Sequence, residues 1–183
     1  MLLQRVQESG KRDFSVGWRY FSLTQVNSRR PRWKVWKTRE KVAGNEAFRA
    51  AQAARCQGGE AFLRFHYALL AARHVDESDI DAPAVLREVA GQAGLDVERF
   101  KADLKATTLE ALGRDHTEAV ERYGAFGTPT FVIPAAAAAA YVRIRPAPEG
   151  EAALATFDEV IDAIGRPYLL EIKRATPPAD ALM

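Results

Sequence analysis

One cysteine and three histidines, Cys56, His66, His74 and His116, are the first candidates for nucleophile, general base or metal ligand. Cys56 is the one cysteine, so no internal disulfide, dithiol couple or Cys-rich zinc site can form within these residues. It lies mid-helix between Arg55 and Gln57, where an ordinary small helix residue is expected. His66 and His74 are about 12 Å apart along a helix rising 1.5 Å per residue, too far for one ion to bridge without further ligands. No carboxylate spacing supplies them, so no metal site is expected and the histidines read as surface or partly buried groups. A Ser-His-Asp order and a Gly-rich phosphate loop are both absent. The more telling chemistry is in the backbone. YGAFGTPTFVIP, residues 123–134, sets Gly127, Thr128 and Pro129 between a helix end and a short apolar strand. A cis Thr128–Pro129 bond would cost only about 0.5–1 kcal/mol relative to trans. The resulting bend would offer the Thr128 backbone as a free edge to an extended peptide or a glutathione-like backbone. The competing reading is a trans proline opening an edge strand.

Charge is localised. The formal net charge is +2, yet Ser28–Lys41, SRRPRWKVWKTREK, holds seven basic residues and one acidic, leaving the remainder near −4. Trp33 and Trp36 interleave this segment, a pattern that can combine phosphate contacts with base stacking. One short loop without a recognised nucleic-acid fold favours a solvated loop with packed tryptophans, so no nucleic-acid partner is expected. No apolar run approaches the roughly 18–20 residues of a membrane span, and MLLQRVQESGKRD is too quickly polar for a signal peptide. A cytoplasmic protein is the default.

The elements that must position these groups follow from periodicity and punctuation. Leu2, Leu3 and Val6 have helical spacing, with Gly10 as the stop. Phe14 to Leu23 alternates and is aromatic-rich, predicting a strand. Helical patterning then runs from Asn45, read as a cap, to Tyr123. A narrow stripe of Ala47, Ala50, Ala51 and Ala54 is followed by Phe62, Phe65, Leu69 and Leu70. A third helix starts at Ser78 or Asp81 and carries Val85, Leu86 and Val89. A fourth starts at Asp96, and a fifth, from Thr108, stops at Gly124. Thr130–Ile133 and Tyr141–Arg145 read as strands, with the six alanines between them a loop or strand extension. Ala152–Ile164 closes the pattern as a helix, and the tail beyond Pro167 reads as loosely held.

In this order GTPTF, preceded by a helix and followed by a hairpin, resembles the cis-proline loop of thioredoxin-like proteins. WRYFSLTQVN, FLRFHYALLAARH, GLDVERF and YGAFGTPTFVI together are similar to the DsbA-like family of thiol-disulfide oxidoreductases and 2-hydroxychromene-2-carboxylate isomerases. The resemblance implies an α/β, thioredoxin-like fold, with residues 1–41 and 125–166 as its core and an all-helical insertion at 42–124. It implies thiol-disulfide oxidoreduction, or glutathione-dependent isomerisation, or a non-catalytic peptide- or thiol-binding module. Gly127, Thr128, Pro129 and Asn27 would contact a thiol, disulfide, peptide or glutathione substrate. No resident cofactor is implied, glutathione serving as co-substrate, and a homodimer is allowed. The family's first strand and Cys-x-x-Cys are missing here, and Cys56 cannot take that role. The expectation is therefore a natural polypeptide that starts upstream of residue 1, or a degenerate member without redox activity.

Overall fold

Apolar positions at helical spacing, punctuated by glycines, account for most of the architecture. A computed structural model of the chain describes residues 1–169. In chain order the elements are α1 (Leu2–Ser9), α2 (Leu23–Val26), α3 (Asn45–Arg55), α4 (Gly59–His74), α5 (Pro83–Gln92), α6 (Val97–Ala106), α7 (Glu110–Tyr123), β1 (Thr130–Ile133), a 3-10 turn (Pro134–Ala136), β2 (Ala138–Tyr141) and α8 (Gly150–Gly165). The chain divides into two units, Met1–Phe14 with Pro129–Met183, and Ser15–Thr128.

The smaller unit packs a hairpin and α1 against α8. α1 stops where Gly10 turns left-handed, at φ 64°, a conformation a Cβ would disfavour. Its Leu2 and Val6 bury against Ala153, Leu154 and Phe157, and Phe14 meets Phe157 at 4.6 Å between ring centroids. Surface pairs add to this contact, Arg12 just beyond α1 to Asp158 of α8 at 2.6 Å and Arg5 of α1 to Glu149 just before α8 at 2.7 Å. β1 and β2 are antiparallel, from Thr130 opposite Tyr141 to Ile133 opposite Ala138. The alanine run is split: its first residues form the 3-10 turn and Ala138–Ala140 enter β2. Cross-strand hydrogen bonding outweighs alanine's helix preference. The strand expected at Tyr141–Arg145 therefore ends at Tyr141, because the short turn after Ile133 sets the register three residues earlier.

The larger unit is helical. The alanine stripe of α3 is buried against α4 and α6, and Phe62, Phe65 and Leu69 of α4, Leu86 and Val89 of α5 and Phe100 of α6 fill the core. α6 begins as expected at Asp96, whose carboxylate accepts the Arg99 N–H at 3.0 Å. Two helix starts differ. Gly44, not Asn45, caps α3. Asp81 starts no helix but reaches across to accept the N–H groups of Gly44, Glu46 and Ala47, at 2.5, 3.0 and 3.3 Å. Its carboxylate serves the orphan donors of a helix remote in sequence, and α5 starts later, with Pro83 in its first turn.

The expected strand from Phe14 to Leu23 does not form: residues 14–22 pair with no strand, and Leu23 opens α2. Side chains take the place of a ladder. The Tyr20 N–H donates to Asp115 at 3.0 Å, the Ser22 N–H to His116 Nδ1 at 3.3 Å, and the Trp18 carbonyl accepts from Arg55 at 2.9 Å. An alternating segment becomes a strand only beside another strand; here helices α3 and α7 supply its partners instead. The architecture shown is mostly helical α/β with a two-stranded antiparallel sheet, and the wider sheet of a thioredoxin-like layout is not shown. The tail from residue 170 onward lies outside the described residues.

Candidate functional site

The turn that first suggested a site is built more simply than expected. The Thr128–Pro129 bond is trans, and the cis bond among the described residues is Arg145–Pro146. Pro129 stands just before β1, where its missing N–H interrupts no ladder bond, and its carbonyl accepts the Val142 N–H at 3.0 Å. The proline is explained by the hairpin it opens, and the cis-proline reading is corrected accordingly. Thr128 and Pro129 are exposed, Gly127 is buried, and the preceding Phe126 is 67% exposed. Asn27 follows α2, and its side-chain amide donates to the Leu23 carbonyl at 2.9 Å, so the donor side of this residue is engaged locally.

The three histidines separate by environment. His116, 5% exposed, is turned by α7 toward Ser22, whose N–H it accepts at Nδ1, and its ring lies 4.5 Å from Phe21 and 5.4 Å from Trp36. Burial, reinforced by the Lys34 ammonium, pushes its pKa down. A neutral ring with Nδ1 as acceptor fits both facts. Trp36 is able to lie on α7 because residue 113 has no side chain: a Cβ there would come within 2.7 Å of the indole.

His66 sits in an aromatic cluster of the same unit. Its ring is 4.2 Å from Trp18 and 5.5 Å from Phe62, and Arg55 stacks its guanidinium 3.6 Å from the Phe62 centroid. Arg55 also donates to Tyr20 Oη at 2.8 Å. Burial first, and Arg55 second, drive the His66 pKa down to about 4, so the ring is neutral at ordinary pH. Burial also raises the Tyr20 pKa, against the opposing pull of Arg55. His66 Nε2 and Trp18 Nε1 are buried without hydrogen-bond partners. Cys56, next to Arg55, is exposed, with Sγ 3.5 Å from the Gln52 carbonyl. No cluster of three metal-ligating side chains occurs among the described residues.

The basic loop borders a solvent-open groove. This groove of about 500 Å³ is lined by residues of 24–43, including Thr24, Ser28, Arg29, Arg30, Trp33 and Glu40. Arg30 lies over Trp33 at 4.6 Å and clamps Glu40 with two bonds of 2.7 Å. That ion pair holds the Glu40 carboxyl below the ordinary range. The charge run signalled this groove, but the Arg30–Glu40 clamp, the Ser22–His116 bond and the Asp81 cap depend on residues brought together only by folding. Among the described residues no helix is long and apolar enough to cross a membrane.

A helical unit with an aromatic, cation-rich surface and a hairpin unit opened by a trans proline together define a mostly helical α/β protein with one thiol. A family model described as "Rv2466c-like: Mycothiol-dependent nitroreductase Rv2466c" matches residues 3–174, and the chain belongs to that family. It is also 27% identical over 167 residues to the uncharacterized protein Rv2286c of Mycobacterium tuberculosis, a match covering 91% of this chain and 71% of that relative. The family match overturns the DsbA-like resemblance, and with it the thiol-disulfide oxidoreductase, disulfide and 2-hydroxychromene-2-carboxylate isomerase readings. The physical cause of the misreading is local. A helix, a Gly-Thr-Pro turn and a hairpin define how a strand is entered, and that geometry is shared more widely than any one chemistry.

Proposed function

We propose that this protein is a reductase of nitro compounds that takes its electrons from mycothiol. The observation that carries this reading is the family match over residues 3–174. Reducing a nitro group to a nitroso group needs two electrons and two protons. Two thiols supply both: an N–O bond breaks, an S–S bond forms and the oxygen leaves as water. Cys56 is the only cysteine among these residues, so at least one of the two thiols in each such step comes from outside them, a role a thiol co-substrate would fill. Within the Gly127–Thr128–Pro129 turn the exposed Thr128 is the proposed substrate contact, its backbone N–H and carbonyl serving as donor and acceptor next to the exposed Phe126.

The test is turnover of a chromogenic nitroarene by the purified protein with reduced mycothiol, followed by loss of nitroarene absorbance and by thiol titration. Mycothiol-dependent loss, with two thiols consumed per oxygen removed and little activity with glutathione, is expected. Absence of turnover with mycothiol overturns the reading.

A further inference from the structure

We propose that the groove of residues 24–43 is a binding site for a small oxyanion-bearing molecule, with Glu40 occupying the position of the ligand's anionic group. The ligand class is a carboxylate or phosphate carried on a ring-bearing small molecule. This does not rest on the nitroreductase reading.

Several observations converge. The groove is open to solvent and holds about 500 Å³, room for a small molecule lying along its wall. Its wall presents a guanidinium whose carbon lies 4.6 Å from the Trp33 ring centroid, and the two bonds to Glu40 show that both fork positions of Arg30 can receive a planar oxyanion. Arg30 and Glu40 are 56% and 54% exposed, so their pairing is weak and exchangeable. Arg29 and Lys41 line the same groove and make no ion pair among the described residues, leaving two cations to favour an incoming anion. The hydroxyls of Thr24 and Ser28 add further polar contacts at the rim.

A single-stranded nucleic acid is the less suitable occupant. Such binders need successive stacking platforms along a cationic track. Here the second tryptophan of the segment, Trp36, is turned away onto Gly113 and His116, and Trp33 is partly buried with Arg30 over its ring.

The experiment is titration calorimetry of the whole chain at low salt with two probes, benzoate and inorganic phosphate, to separate carboxylate from phosphate preference. At least one should bind at a single site. Glu40→Gln should tighten that probe by up to about fivefold, the release expected from an exposed pair. Arg30→Ala should weaken it by about tenfold or more, the loss of a charge-assisted bond. Both side chains are exposed, so thermal midpoints that match wild type confirm that folding is intact. Failure of both probes to bind, or Glu40→Gln without effect on affinity, overturns the proposal. So does tighter binding of a labelled single-stranded oligonucleotide that neither probe displaces, which would assign the groove to nucleic acid.

Discussion

Gly113→Ala sets two known effects against each other on α7. In an exposed helix interior, alanine in place of glycine would stabilise by about 1 kcal/mol. At this position the added Cβ would lie 2.7 Å from both Cδ1 and Nε1 of Trp36 and 2.9 Å from Cγ. Ordinary carbon contacts begin near 3.5 Å, so the ring must retreat by roughly 0.8 Å. A rigid indole cannot do that by turning one terminal torsion, and its other neighbours are the Lys34 ammonium at 5.5 Å and the His116 ring at 5.4 Å. Overpacking of this kind costs about 1–3 kcal/mol, so the clash exceeds the propensity gain. A net destabilisation of about 1 kcal/mol is expected, which lowers the thermal midpoint by roughly 2–4 °C in a chain of this size. The assay is thermal unfolding by circular dichroism, run in parallel on a Trp36→Ala background. There the clash is gone, and the same Gly113→Ala change should raise the midpoint. If Gly113→Ala raises the midpoint equally in both backgrounds, the close approach of Trp36 to α7 is wrong.

Two further outcomes test the larger unit. Asp81→Ala removes the acceptor for three backbone N–H groups at the start of α3 and should cost about 1–2 kcal/mol. Asp81→Asn should recover part of that, and equilibrium urea unfolding reads both. His66 is held at a pKa of about 4 against an ordinary 6.5, so the unfolded chain binds more protons between those values and stability falls as pH drops from 6.5 toward 4. Between pH 7 and pH 5 the His66 contribution is a loss on the order of 2 kcal/mol. Comparing midpoints of the wild type and His66→Phe across that range isolates it, and identical pH profiles would contradict the burial of this ring.

The parts legible from the sequence are those governed by neighbours along the chain. The alanine stripe of α3, the Phe62–Phe65–Leu69 face of α4 and the Asp96 cap need only the helical repeat and one nearby side chain, and they stand where the spacing puts them. Gly124 ends α7 in the left-handed conformation, at φ 63°, for the same local reason. The tertiary structure decided whatever required a partner far away in the chain. Phe14–Ser22 had the alternation of a strand, but its backbone groups found Asp115, His116 and Arg55 instead of another strand. Asp81 looked like the start of its own helix and became the cap of another. Arg30 and Glu40 were two charges in a basic run until folding stacked one on Trp33 and clamped it with the other. Helix formation is settled within a few residues, whereas strand pairing, caps from a distant segment and charge clamps depend on which surfaces meet, and no local pattern encodes that.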